Sequence, residues 1–137
     1  MLGPKKADSG VTTVGQEIEW FHNGSGATIS AKDWVETDTS VSTYGLGSAI
    51  KQYAGTANAG IRGVALHDIP DGEVGEVVVY GPVENASVLT GVAAGAPLHG
   101  HNVAGQATTG TIGTNQIIGQ CMELAAASVA DVFVTCK

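Results

Sequence analysis

The sequence has little positive charge. Of its 137 residues only 6 are Lys or Arg, against 13 Asp or Glu, which gives a formal net charge of -7. A protein that binds nucleic acid neutralises phosphates with clustered Lys and Arg side chains. The composition therefore argues against nucleic acid as a partner.

Charge of either sign is scarce, since Asp, Glu, Lys and Arg together make up 14% of the residues. The chain is nevertheless 43% hydrophobic, whereas disordered chains are poor in apolar residues and rich in charge. Long hydrophobic runs are also missing. The longest charge-free apolar stretch, residues 88–98, has 11 residues, and a helix needs about 20 to cross a bilayer. We expect a compact domain with no membrane partner.

Aromatic side chains are few, at 5% of the residues. The core is therefore expected to consist mainly of small side chains, and a monomer built in this way would gain from association with copies of itself. Cysteine is equally rare. Cys121 and Cys136 are too few for a disulfide framework. We expect two free thiols, and a single bridge stays open if strand pairing brings them together.

Helical periodicity is absent, and β-branched runs separated by Gly-rich turns favour strands. Asn23-Gly24 predicts a turn between two strands at residues 17–22 and 27–30, and Pro70 with Asp71-Gly72 predicts a turn between strands at 61–66 and 74–80. Further strands are predicted at residues 33–35, 116–122 and 128–136. The sum is a single all-β domain over residues 16–137, a barrel or sandwich of about seven to nine strands. Residues 1–15 form an extended N-terminal arm in this prediction.

Residues 85–122 contain no Asp, Glu, Lys or Arg, a gap of 38 residues. Charged side chains are depleted from the cores of protein interfaces, so the gap predicts packing against another protein, with an irregular loop as the alternative. The candidate partner-binding residues come from the arm and from this gap: Leu2, Pro4, Lys5, Lys6, Val11, Val14, Val88, Leu89, Val92, Leu98, Val103 and Ile112.

Catalytic chemistry finds little support in the sequence, and we expect no enzyme and no cofactor. No Gly-x-Ser-x-Gly nucleophile motif is present, and the neighbours His67 and Asp68 would point to opposite faces of a strand rather than form a dyad. His99 and His101 could share one face of an extended segment. Two ligands do not make a metal site, so no metal is predicted there.

Two segments of the sequence resemble a known family. The run from Gly63 to Glu84 reads Gly-Val-Ala-Leu-His-Asp-Ile-Pro-Asp-Gly-Glu-Val-Gly-Glu-Val-Val-Val-Tyr-Gly-Pro-Val-Glu, and residues 117–125 read Ile-Ile-Gly-Gln-Cys-Met-Glu-Leu-Ala ahead of a Val-rich final strand. In their residue pattern and in their order along the chain, these segments resemble small decoration proteins of tailed-phage heads. The resemblance covers roughly residues 33–137. The resemblance implies a β-barrel or β-tulip domain with an N-terminal arm. It also implies a homotrimer on the outer capsid surface of the virion, which bridges major capsid protein subunits and cements the shell.

Two other functions stay open at the level of the sequence. One is a carbohydrate-binding or adhesion module of a virion or cell surface, which needs exposed aromatic side chains for stacking on sugars. Its candidates are Trp20, Trp34, Tyr44 and Tyr53. The other is a small hydrolase that uses His67, which the missing nucleophile motif disfavours.

Overall fold

The computed structural model describes residues 15–41, 43, 45, 47–56 and 60–137. All of the regular structure in these residues is β, as the sequence predicts. The nine strands are β1 Glu17–Asn23, β2 Trp34–Thr37, β3 Ala49–Gln52, β4 Ile61–Ala65, β5 Val74–Ser87, β6 Pro97–Gly100, β7 Ala107–Thr109, β8 Gly119–Cys121 and β9 Val129–Thr135. In this described part of the chain, no helix has the length and apolarity that a membrane crossing requires.

The first five strands close into a barrel. Around the ring, β1 pairs with β3, β3 with β2, β2 with β4, and β4 with β5. β5 then pairs with β1, antiparallel, from Glu17 opposite Tyr80 to His22 opposite Val74. Every strand of the barrel therefore has a neighbour on both sides, which removes the open edges on which other strands could pair. The barrel expected from the sequence is confirmed.

β5 is 14 residues long and belongs to two parts of the fold. Its second half pairs with β9, from Tyr80 opposite Thr135 to Ser87 opposite Val129. The sheet then continues through β8 and β6 to β7, and a parallel bridge between Val88 and Ala107 joins β7 to the residue after β5. The second half of β5 and strands β6 to β9 form what we call the second lobe.

The strands shared by the two parts of the fold contribute side chains to two cores, because successive side chains of a strand point to opposite faces. Inside the barrel, Val35 and Val77 belong to a cluster with Phe21 and Ile50. The neighbouring Trp34 belongs instead to the larger cluster shared with the second lobe. Trp34 is fully buried, and its indole Nε1 donates a 3.0 Å hydrogen bond to the Ser87 carbonyl. β2 and β5 thus hold the two parts of the fold together.

A short polar network reinforces this junction. The two carboxylate oxygens of Asp33 accept hydrogen bonds of 2.6 Å each, one from the Gln52 amide and one from the Ser87 hydroxyl. The Lys32 ammonium donates a 2.8 Å hydrogen bond to the Glu84 carbonyl. Because Asp33 lies just before β2 and Ser87 ends β5, these contacts set the position of the second lobe on the barrel.

Most of the strands predicted from the sequence are present, but one predicted hairpin is wrong. Residues 27–30 do not pair with β1, because β3 and β5 already occupy both edges of that strand. Ile29 forms an isolated bridge with Ile69 instead. The buried Asn23 amide holds this segment with 2.7 Å hydrogen bonds to the carbonyls of Ala27 and Ile69. The strand predicted at 116–122 is shorter, Gly119–Cys121.

Candidate contact surface

The charge-free segment supplies much of the core of the second lobe. Val88 and Leu98 are completely buried, and Val92 is 5% exposed. All three pack within the cluster that surrounds Trp34. Their prediction as partner-binding residues is therefore corrected: these side chains are apolar because the chain's own core requires it, and they have no surface to offer a partner.

Three other predicted contact residues lie on the surface. The exposed fractions are 37% for Leu89, 50% for Val103 and 78% for Ile112. Their apolar side chains are available for contact, and their role in binding stays a prediction. The arm residues predicted to bind a partner lie outside the described part of the chain: Leu2, Pro4, Lys5, Lys6, Val11 and Val14.

Ile112 stands on a turn closed by hydrogen bonds. The Thr111 N–H donates to the Asn115 side-chain oxygen at 2.7 Å. The N–H groups of Thr114 and Asn115 donate to the Thr111 carbonyl at 3.1 and 2.9 Å. A side chain presented by a turn that is already ordered loses less conformational entropy on binding than one on a loose loop. The backbone that presents Ile112 is therefore already ordered before any contact forms.

Sequence reasoning missed several exposed apolar side chains at the outer face of the second lobe. Met122 and Leu124, just after β8, are 55% and 65% exposed, and Tyr80 on β5 is 40% exposed. The Tyr80 ring packs edge-to-face on Phe133 of β9, with 5.2 Å between centroids and 89° between planes. Their apolar character was visible in the sequence. Their exposure was not, because it depends on which face of the second lobe each side chain occupies.

Next to this aromatic pair lies a groove of about 310 Å³, lined from β5, β9 and the loop between β8 and β9. Its apolar lining consists of Pro82, Val83, Val132 and Met122. Val83 and Val132 are buried, whereas Met122 is more than half exposed. The floor of the groove is thus rigid strand and one of its walls is a flexible thioether side chain, which adapts readily to a ligand.

Three carboxylates line the same groove, from Glu84, Glu123 and Asp131. Glu123 accepts a 2.9 Å hydrogen bond from the Asp131 N–H, and Asp131 accepts one of 3.1 Å from the Asn85 N–H. These bonds hold two of the carboxylates in place. We call this feature, a groove with three carboxylates and the accessible apolar side chains of Pro82 and Met122, the acidic groove.

His99 and His101 line a second pocket, together with Tyr53, Asn102 and Thr108. Both histidines thus border one pocket, and their placement on one face stays a prediction. Burial, followed by the charge of Glu36, raises the pKa of Tyr53. Within the described residues no group of three or more His, Cys, Asp or Glu side chains is placed to hold a metal ion.

His67 and Asp68 are directed to different partners. The His67 Nε2 lies 3.5 Å from the Glu76 carboxylate, while the Asp68 carboxylate accepts a 2.8 Å hydrogen bond from the Ala31 N–H. Asp68 thus ties two loops of the barrel together. The two side chains therefore contact different groups, and the absence of a catalytic dyad stays a prediction.

Both cysteines are free thiols, which settles the alternative of a bridge. The Cys121 thiol contacts the Glu123 carbonyl at 3.0 Å and the Cys136 thiol contacts the Ile118 carbonyl at 3.5 Å. Burial raises the pKa of Cys121, and it raises that of Cys136 to about 12. The reactive species of a thiol is its thiolate, so both groups are held in the unreactive form near neutral pH.

We expect iodoacetamide to modify Cys136 far more slowly in the native protein at pH 8 than in the urea-unfolded chain, as measured by mass spectrometry over time. Because the native pKa lies above the ordinary thiol value of 9.0, the native state binds the thiol proton more tightly. This stabilising contribution is complete below pH 9 and is lost as the pH rises toward 12. Equal rates in the native and unfolded chains would contradict the assignment.

The aromatic side chains required by the carbohydrate-binding alternative are mostly unavailable. Trp34 is completely buried and Tyr53 is 2% exposed. Tyr44 lies outside the described residues. Trp20, on the outer face of β1, is 64% exposed. One of the four predicted stacking residues is therefore seen at the surface.

No known protein family matches the sequence, and no curated protein is similar to it. The solved structures that share the fold include that of the head fiber gp8.5 N base of bacteriophage phi29. The TM-score is 0.58 at 12% sequence identity, over 89% of this chain and 96% of that chain. The resemblance to phage head proteins inferred from the sequence is thus matched in three dimensions, by a protein of a phage head with the same all-β fold.

Proposed function

We propose that this protein is a structural protein of a phage virion, which decorates the outer surface of the capsid and cements it by bridging major capsid protein subunits. The observation that carries the proposal is the shared fold, which extends over 96% of the phi29 head fiber base. A fold by itself does not specify a function. The surface of this chain supplies the further support.

Charge favours the outer rather than the inner face of a capsid. The net charge of -7 would be repelled by the densely packed phosphate of an encapsidated genome. The role proposed here is mechanical, with no enzymatic activity and no cofactor.

The contacts of a cement protein are expected to be modest individually and repeated by symmetry, so that their combined strength comes from multivalency. Leu89, Val103 and Ile112 supply exposed apolar side chains for this purpose, and the arm supplies a second contact region in the proposal. Assembly as a homotrimer would multiply both. Light scattering on the purified protein should give the mass of a trimer, and a stable monomer at high dilution would contradict self-association.

The decisive experiment adds purified protein to undecorated phage heads. Saturable binding is expected, with density at the symmetry axes of the capsid in a cryo-EM reconstruction. Heads that take up no protein, or that take it up without saturation and without symmetric density, would overturn the proposal.

Ile112→Asp is expected to weaken binding to heads about tenfold or more, because a carboxylate replaces an apolar side chain within a desolvated contact. Ile112 is 78% exposed, so the fold itself should be unaffected, with the same unfolding midpoint as the unsubstituted protein. Binding is measured by co-sedimentation with heads. Val74→Asp is the matched control, since Val74 is also exposed, at 44%, but begins β5 at the barrel end. Equal binding by the two variants would remove Ile112 from the interface.

A carbohydrate-binding or adhesion module is the second candidate, and the exposed Trp20 is the observation that favours it. A flat indole on a strand face can stack on a sugar ring. Binding on a glycan array that disappears in Trp20→Ala would support this function, and a silent array would remove it.

A further inference from the structure

We propose that the acidic groove is a docking site for the first residues of the same chain, with Lys5 and Lys6 at its carboxylates and Leu2 and Pro4 against the accessible apolar side chains of Pro82 and Met122. The proposal concerns the free protein and does not depend on the proposed role in a virion. It rests on where the described chain begins, on the lining of the groove, and on the charge of the two parts.

The described chain begins beside the groove. The Gln16 side-chain amide donates a 2.8 Å hydrogen bond to the Pro82 carbonyl, and Pro82 is part of the groove lining. The Gly15 carbonyl lies so close to Gly81 that a Cβ at Gly81 would overlap it. Residues 1–14 therefore join the rest of the protein next to the groove that we assign to them.

The length of the segment is sufficient. Gly15 is nine positions after Lys6 in the sequence, and an extended chain of nine residues spans about 30 Å. The groove extends across β5, β9 and the β8 end, and neighbouring strands lie about 4.8 Å apart. Lys5 and Lys6 can therefore reach any of its three carboxylates without strain in the connecting chain.

The N-terminal segment and the acidic groove carry charges of opposite sign. Residues 1–14 hold two of the six basic residues of the chain, Lys5 and Lys6, and a single acidic residue, Asp8. The lining of the groove, all of it within the described residues, includes three carboxylates and no basic side chain. The nearby Lys32 ammonium is engaged with the Glu84 carbonyl, 2.8 Å away. Attraction between opposite charges and burial of Leu2 and Pro4 favour the same docked arrangement.

Occupation by the same chain is favoured over occupation by a second copy. A short covalent connection gives the segment an effective concentration in the millimolar range. Exposed ion pairs are individually weak, so a site of this kind binds a connected segment well and a free one poorly. At micromolar protein concentration a copy that is not already assembled with this one cannot compete.

Zero-length carbodiimide cross-linking of the full chain tests the proposal. Unlabelled and ¹⁵N-labelled protein are mixed in urea and refolded together, so that any oligomer contains both isotopes. The mixture is then treated, digested and examined by mass spectrometry. Cross-links from Lys5 or Lys6 to Glu84, Glu123 or Asp131 are expected, with both peptides carrying the same isotope. Pairs of mixed isotope would show that the segment enters the groove of a second copy, and a lack of cross-links to the groove would show that it binds elsewhere. Either result overturns the proposal.

Two charge-reversal variants, one in the groove and one outside it, are compared in the same cross-linking experiment. Glu84→Lys should reduce the cross-links from Lys5 and Lys6 to Glu123 and Asp131 about two- to fivefold, the range expected of exposed charge pairs. Glu73→Lys makes the same change at an exposed glutamate just before β5, at the opposite end of that strand. It should leave the yield unchanged. Equal reductions would indicate a general effect of net charge and would overturn the assignment to the groove.

An NMR measurement tests docking of the segment without relying on the reactivity of the cross-linked groups. The chain has two methionines, Met1 and Met122, and Met122 forms a wall of the groove. In methyl-labelled full-length protein, Lys5→Glu with Lys6→Glu should move the Met122 methyl signal toward the position of a solvent-exposed methionine. An unmoved signal would mean that the segment does not contact the groove.

Discussion

Trp34→Ala is expected to lower the free energy of unfolding by about 3–5 kcal/mol, the range found when a large aromatic side chain is removed from a core. Trp34 is completely buried in the cluster shared by the barrel and the second lobe. Its loss leaves a cavity between them. It also leaves the Ser87 carbonyl without the 3.0 Å hydrogen bond that it accepts from the indole, and an unsatisfied buried acceptor adds to the cost.

The measurement is urea unfolding followed by far-ultraviolet circular dichroism, which does not depend on the indole that is removed. Trp20→Ala is the matched control, because it deletes the same side chain at a position that is 64% exposed. It should change the stability by less than about 1 kcal/mol. Since a domain of this size is stable by about 5–15 kcal/mol, the buried substitution removes a large share of the total. Similar losses in the two variants would show that Trp34 does not join the two parts of the fold.

Gly63→Ala should be of comparable severity, with a loss of about 1–3 kcal/mol from backbone strain and a similar loss from steric overlap. Gly63 has a φ of 153°, in a region that residues with a Cβ rarely adopt. A Cβ there would overlap the Val78 carbonyl and lie 2.9 Å from the Val77 Cγ1. Gly63 pairs with Val35 of β2 in the closed barrel, so the backbone has no free side toward which to move.

Gly91→Ala separates the two contributions. Gly91 also has a positive φ, 97°, but a Cβ there would meet nothing within 4 Å. This control should therefore show the strain without the overlap, a loss of about 1 kcal/mol. Thermal unfolding monitored by circular dichroism compares the variants. If Gly63→Ala were no worse than Gly91→Ala, the close approach of β4 to β5 would not be required by the fold.

The charge-free segment turns out to have two roles. Part of it forms the core of the second lobe, and part of it exposes apolar side chains on the same lobe. Four of the large exposed apolar residues belong to this segment, and a fifth follows it closely: Leu89, Val103, Ile112, Met122 and Leu124. Because exposed apolar surface is concentrated after β5, we expect the proposed contacts on the second lobe.

The sequence by itself determined the class of fold. Strand patterns such as residues 61–66 and 74–80 were readable because β-branched side chains and turn-forming dipeptides act locally, over a few residues. Their antiparallel pairing as β4 and β5 follows from the turn between them. Three strands were not predicted, because they are short and owe their structure to neighbours distant in sequence: Ala49–Gln52, Pro97–Gly100 and Ala107–Thr109.

Only the tertiary structure decided which strand edges were free and which apolar side chains were buried. β1 could not pair with residues 27–30, because β3 and β5 occupy both of its edges. Leu98 and Ile112 are alike in the sequence, both apolar and both within the charge-free segment, yet one is completely buried and the other is 78% exposed. The difference arises because the burial of a side chain depends on residues brought together from distant parts of the chain. The local sequence pattern does not specify which residues these are.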